Sequence, residues 1–97
     1  MAEVTITKQN IFPNYASAAV ITLNSTYTAP SDGYVLLARI IMTGAGAALT
    51  INGMDVYLAN NPNVDLGGAI YPIKKGDITV TARLDTASRV YFIPARS

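Results

Sequence analysis

The chain contains no cysteine and no histidine among its 97 residues. Without cysteine it can form no disulfide, and thiolate chemistry and cysteine-ligated zinc or iron–sulfur sites are excluded. Without histidine it lacks the side chain that most often acts as a general base or a metal ligand. The only glutamate is Glu3, and the aspartates lie in or beside predicted turns, where they usually make local hydrogen bonds. We therefore predict that the protein is not an enzyme and holds no metal ion or cofactor.

Charged residues are also scarce, making up 13% of the chain against about 25% in an average soluble domain. A chain this short has a large surface for its volume, and interface cores are the part of a surface that is depleted in charge. The shortage therefore predicts that part of the surface is covered by another subunit. The alternative is a neutral surface rich in Thr, Asn and Ser.

Two classes of partner have little support in the sequence. The basic residues are scattered and the formal net charge is +1, so no nucleic acid partner is expected. No apolar run reaches the roughly 20 residues that span a bilayer, so no membrane partner is expected. The N-terminus has neither a basic start nor an apolar signal core, so we expect no secretion signal.

The residues that are present favour strands. Val, Ile, Thr and Tyr make up 33 of the 97 residues. Apolar residues recur with a period of two between turn residues spaced about 8–12 apart, which is typical of a sandwich or barrel. We predict one all-β domain over residues 1–97. The predicted strands cover residues 3–7, 18–24, 34–43, 69–73, 78–84 and 89–93.

Asn52-Gly53 is the sharpest local signal. Asn-Gly between two alternating segments favours a two-residue type I′ hairpin. The register that follows places Ile51 beside Met54, Leu49 beside Val56, and Ala47 beside Leu58. All six residues are apolar and share one predicted face, so the turn and the pattern agree.

The longest apolar run, residues 34–43, is apolar on both faces of a strand. One face carries Val35, Leu37, Arg39 and Ile41, and the other carries Tyr34, Leu36, Ala38, Ile40 and Met42. Both faces must be covered. We expect the core to cover one of them and a neighbouring subunit to cover the other.

In residues 78–84 the pattern predicts Ile78, Val80, Ala82 and Leu84 inside, with Thr79, Thr81 and Arg83 outside.

The loop from Asn60 to Asp65 offers several amide and carboxylate oxygens at close spacing. It could hold a calcium ion or a sugar hydroxyl, but it lacks the dense carboxylates of a strong calcium loop. The alternative is a solvated turn around Pro62.

Three stretches of the chain resemble segments of small jelly-roll proteins. Tyr27-Thr28-Ala29-Pro30-Ser31-Asp32-Gly33-Tyr34-Val35 resembles the start of a strand in small jelly-roll proteins of tailed-bacteriophage virions, which often carry an Asn-Gly hairpin in mid-chain. The same proteins then show a segment like Ala69-Ile70-Tyr71-Pro72-Ile73-Lys74-Lys75-Gly76-Asp77-Ile78-Thr79-Val80 and end on a strand like Val90-Tyr91-Phe92-Ile93-Pro94. The order is also similar to the trimeric jelly roll of tumour-necrosis-factor and complement globular heads, in which a Lys-Gly-Asp turn precedes an alternating strand and an aromatic-rich final strand. Together these motifs cover about residues 27–94.

The resemblance implies an antiparallel jelly-roll sandwich of about eight short strands that assembles as a homotrimer. In such proteins the last strand and the long central strand line the three-fold axis. On this chain the interface then maps to Val35, Leu37, Arg39, Ile41, Tyr91 and Ile93.

The resemblance also implies that the protein is made in the host cytoplasm and then becomes part of the virion. A decoration or cement protein would bind the major capsid protein and stabilise the shell. The alternatives are the distal knob of a tail fibre or needle and a non-viral carbohydrate-binding module. A knob normally continues into a stalk, whereas here a strand is predicted from residue 3, so we expect a cement protein. Its predicted capsid contacts are Lys8, Asn10, Phe12 and Tyr15, with turns at one end of the sandwich.

Overall fold

The computed structural model describes residues 12–59 and 65–96. Within these ranges the chain forms nine strands and one short 3-10 helix, Tyr15–Ser17. The strands are β1 Ala19–Val20, β2 Thr26–Thr28, β3 Gly33–Ile41, β4 Gly46–Ile51, β5 Met54–Ala59, β6 Asp65–Leu66, β7 Ala69–Ile73, β8 Ile78–Thr81 and β9 Arg89–Pro94. The predicted strand at residues 3–7 lies outside the described residues.

The strands form two antiparallel sheets, an arrangement compatible with a β-sandwich. The first sheet has the order β1-β9-β3-β6, with β7 also paired to β3, and the second has the order β2-β8-β4-β5. Side chains connect the sheets: the rings of Tyr27 and Phe92 lie 5.8 Å apart, and the Tyr71 hydroxyl donates to the Val56 carbonyl at 3.0 Å. The all-β prediction is confirmed.

The core lies between the two sheets and is built from aliphatic side chains of both. Full burial of such a side chain stabilises the fold by roughly 1.5–3 kcal/mol. The largest members are Ile21, Val35, Leu37, Ile40, Met42, Leu49, Ile73, Leu84, Val90 and Phe92.

A β-bulge in β3 changes which side chains face this core. The ladder between β3 and β9 shifts register between Leu37 and Arg39. Before the bulge Val35 and Leu37 are buried, and after it Ile40 and Met42 are buried. The predicted alternation through residues 34–43 is therefore wrong, because one extra residue moves every later side chain to the opposite face.

β8 also reverses the predicted pattern. Thr79 and Thr81 are buried, whereas Ile78 and Val80 are 46% and 36% exposed. Arg83 has a positive φ of 60°, which interrupts the extended backbone after β8. Leu84 is therefore buried, although Ile78 and Val80, which the same alternation placed inside, are exposed. The buried hydroxyls are satisfied, since Thr79 donates to the Tyr27 carbonyl and Thr81 accepts from the Ser25 N–H.

The predicted hairpin is present. Asn52 and Gly53 have φ values of 51° and 82°, as a type I′ turn requires. Ile51 pairs with Met54 and Ala47 with Leu58, as predicted. Leu49 pairs with Tyr57 instead of Val56, because irregularities on either side of Leu49 shift the register and then restore it.

The predicted strand at 18–24 is shorter in the structure. β1 covers only Ala19–Val20. The pattern of residues 18–24 predicts Ala19, Ile21 and Leu23 on the inward face; Ile21 is buried, whereas Ala19 is exposed.

Candidate assembly surface

Three of the six predicted interface residues are buried inside the single chain. Val35, Leu37 and Ile93 are each 0% exposed. A side chain with no exposed area has none left to bury against a partner. The interface prediction is therefore wrong for these three residues. Val35 and Leu37 lie before the bulge, on the face of β3 that packs in the core.

The other three predicted residues lie at the surface. Ile41 and Tyr91 are half-buried and Arg39 is exposed. The guanidinium of Arg39 binds the carboxylate of Asp65, with Nη2 3.0 Å from Oδ2 and Nε 3.2 Å from both oxygens. This hydrogen bonding raises the pKa of Arg39. Contact of Arg39, Ile41 and Tyr91 with another subunit stays a prediction.

The outward face of the first sheet carries an apolar row that the sequence did not reveal as a unit. Val20 pairs with Tyr91, Tyr91 with Leu36, and Leu36 with Ile70, so the four side chains cross β1, β9, β3 and β7 in one line. We call these four residues the outer row. Val20 is 73% exposed and Ile70 41% exposed, while Leu36 and Tyr91 are half-buried.

The surroundings of the outer row are apolar on one side and charged on the other. Tyr34 and Pro72, which pair with each other, lie one row further along the same face. In the opposite direction, beyond the bulge, Arg39 pairs with Arg89 and both are exposed. An uncharged centre with charge at its margin is the usual anatomy of a protein–protein interface.

Of the outer row, the sequence predicted only Tyr91 at an interface, because the predicted interface face of residues 34–43 was the one that carries Val35 and Leu37. The alternation in residues 34–43 already placed Tyr34 and Leu36 on one apolar face. Val20 and Ile70 were missed because they lie on short strands, and only the strand pairing brings them beside Leu36 and Tyr91.

The residues predicted to touch the capsid are described only in part. Lys8 and Asn10 lie outside the described residues, whereas Phe12 and Tyr15 are exposed. Two main-chain hydrogen bonds join their segment to the end of β9, from Asn14 N–H to the Pro94 carbonyl at 2.8 Å and from Arg96 N–H to the Phe12 carbonyl at 3.0 Å. The segment therefore lies at one end of the first sheet.

Residues 12–59 and 65–96 contain no group of three or more potential metal ligands, and no buried polar side chain there lacks a hydrogen bond. A surface groove of about 250 Å³ is lined by residues 20–23 and 88–91. No helix in the described residues has the length and apolar character needed to cross a membrane.

Comparisons with protein-family models, with curated proteins and with solved structures found no match. Function is therefore inferred from the residues of this chain.

Proposed function

We propose that the protein is a bacteriophage virion component, a homotrimeric decoration protein that binds the major capsid protein and stabilises the shell. The observation that carries the assembly part of the proposal is the outer row, an uncharged line of Val20, Tyr91, Leu36 and Ile70 on the outward face of a sheet. The virion role comes from the motif resemblance of residues 27–94.

Self-association is supported by two independent features. The chain has 13% charged residues, which leaves much of its surface uncharged. The outer row then places two exposed and two half-buried apolar side chains in one line on the surface of the sheet. Packing this row against another copy removes apolar area from water, which favours association.

A jelly-roll connectivity is part of the proposal, and the strand orders support it. If β6 and β7 are counted together because both pair with β3, every connection except β4–β5 passes from one sheet to the other. The first and last strands of the described residues, β1 and β9, are then neighbours in one sheet. Two interleaved Greek keys of this kind are the jelly-roll pattern.

A three-fold protein suits a shell because it can bind wherever three equivalent coat surfaces meet. Each subunit then makes the same contact, and weak contacts multiply through effective concentration. No catalytic group is needed for this function.

The test is to add the purified protein to undecorated capsids and, separately, to host cells. We expect saturable binding to capsids, measured by co-sedimentation, and a higher temperature of capsid disruption after binding. Binding to cells with none to capsids would contradict the proposal and favour the fibre knob. Binding to glycan arrays with none to capsids or cells would favour a carbohydrate-binding module.

A further inference from the structure

Asp32 brings several turns together at one end of the sandwich. Its Oδ1 accepts a hydrogen bond from the main-chain N–H of Lys75 at 2.9 Å, and its own carbonyl accepts one from Ala95 at 3.0 Å. The segment that begins at Phe12 is bonded to Arg96 at the same place. We call this surface, made of residues 12–15, 30–33, 74–77 and 94–96, the turn end.

The carboxylates of the turn end are used to hold the turns. Asp77 accepts from the main-chain N–H of Lys74 at 2.8 Å through Oδ2 and from Asn52 Nδ2 at 3.0 Å through Oδ1. Asp32 accepts from the main chain of Lys75. Both aspartates bind backbone or amide groups, and neither forms an ion pair with a neighbouring lysine side chain within the described residues, although the charge of Lys74 helps to lower the pKa of Asp77.

The basic side chains of the described residues fall into two groups. Arg39 binds Asp65, Arg83 donates to the Ala47 carbonyl at 3.1 Å, and Arg89 donates to the carbonyls of Thr86 and Ser88. Each of these guanidinium groups is held by the chain itself.

The second group lies at the turn end. Lys74, Lys75 and Arg96 are exposed, and their charged groups make no hydrogen bond or ion pair within the described chain. Tyr15, also exposed, adds an aromatic surface at the same end. The chain therefore binds its own basic side chains away from the turn end, whereas the basic side chains of the turn end are available to a partner protein.

We propose that the turn end binds an acidic surface of a partner protein, with Lys74, Lys75 and Arg96 as its charged contacts. This inference rests on the proposed function only in taking that partner to be the coat protein. Exposed charge pairs are individually weak and are screened by salt. Three copies of the turn end in one trimer would act together, so binding is strong at low salt and falls steeply as salt increases.

The test compares two single charge reversals of equal size. Lys75→Glu removes an available cation at the turn end, and Arg83→Glu removes a cation that the chain already holds and that lies away from the outer row. Each protein is added to undecorated capsids, to immobilised polyglutamate and to duplex DNA at several salt concentrations. Light scattering and thermal melting check that both variants keep their assembly and fold.

We expect the turn-end variant to bind capsids at least about tenfold more weakly than the wild type, and the control variant to stay within about threefold. Equal capsid binding by the two variants would overturn the inference and leave the proposed function intact. If the wild type binds no capsids, the proposed function fails. Salt-sensitive binding to polyglutamate that only the turn-end variant loses would then still support the inference, and its absence would overturn it. Tighter binding to duplex DNA than to polyglutamate would also overturn it, because the partner would then be nucleic acid.

Discussion

Asn52 and Asp77 join two turns that are 25 residues apart in the sequence, with Nδ2 of Asn52 donating to Oδ1 of Asp77 at 3.0 Å. Oδ1 of Asn52 accepts from the main-chain N–H of Ile78 at 2.8 Å, which extends the connection into β8. The hairpin between β4 and β5 is thereby tied to the turn that precedes β8. The same two residues therefore influence both stability and the shape of the turn end.

Acid should weaken this connection. Hydrogen bonds from the Lys74 N–H and from Asn52 lower the pKa of Asp77 in the folded protein. A carboxyl with a lowered folded-state pKa contributes stability above its unfolded-state value of about 4 and loses it as the pH falls through the folded value. We expect the melting temperature of the wild type to fall more steeply between about pH 5 and pH 2 than that of Asp77→Ala.

Asp55→Ala is the matched control for this titration. Asp55 is exposed on β5, and its carboxylate makes no hydrogen bond within the described residues. We expect the melting temperature of Asp55→Ala to fall with pH as steeply as that of the wild type. Parallel curves for the wild type and Asp77→Ala would show that Asp77 does not stabilise the fold.

Gly53→Val should destabilise the protein through the backbone alone. Gly53 has a φ of 82°, and a Cβ at this position would meet no other atom within 4 Å. A β-branched residue in this conformation is strained by roughly 1–2 kcal/mol. Chemical denaturation should show a loss of that size for Gly53→Val and a change within about 0.5 kcal/mol for Gly44→Val. Gly44 also has open space around it but does not have a left-handed φ. Equal stability of the two variants would argue against the type I′ assignment.

Leu36 and Leu37 are neighbours on β3 that should respond differently to truncation. Leu37 is fully buried in the core, so Leu37→Ala should cost about 2–5 kcal/mol at every protein concentration. Leu36 lies in the outer row, so Leu36→Ala should act mainly on association, and its effect should depend on concentration. Melting curves over a hundredfold range of concentration distinguish these cases. A concentration-independent loss of the same size for both variants would contradict the face assignment.

Tyr91→Asp should dissociate the proposed trimer. Tyr91 is at the middle of the outer row, and an aspartate there would be buried against a partner without a counter-charge. We expect light scattering to give a trimer mass for the wild type at micromolar concentration and a monomer mass for the variant. Val80→Asp, on the outward face of the second sheet, is the control and should leave the mass unchanged. A monomeric wild type would contradict the assembly part of the proposed function.

The accuracy of the sequence predictions depended on how local each feature is. The Asn52-Gly53 hairpin was predicted correctly because its turn residues and the adjacent Ile51–Met54 pair lie within four positions. The alternation of β3 was predicted wrongly because the strand contains a bulge. The inward face of β8 was predicted wrongly because its threonines are buried with their hydroxyls hydrogen-bonded to Tyr27 and Ser25, whereas the apolar pattern placed Ile78 and Val80 inside. A bulge is not visible in a pattern of period two, since the residues on both sides of it look equally regular.

The sequence by itself determined the fold class, the main hairpin and the absence of cysteine and histidine chemistry, since all three follow from composition or from neighbouring residues. Only the tertiary structure decided which face of β3 is left uncovered. Val35 and Leu37 pack in the core against the second sheet, which leaves Leu36 outside. The bulge after Leu37 then turns Ile40 and Met42 inward. The pairing of β1, β9 and β7 sets Val20, Tyr91 and Ile70 beside Leu36. These residues are up to 71 positions apart, so contacts across the whole chain were needed to bring them into one surface.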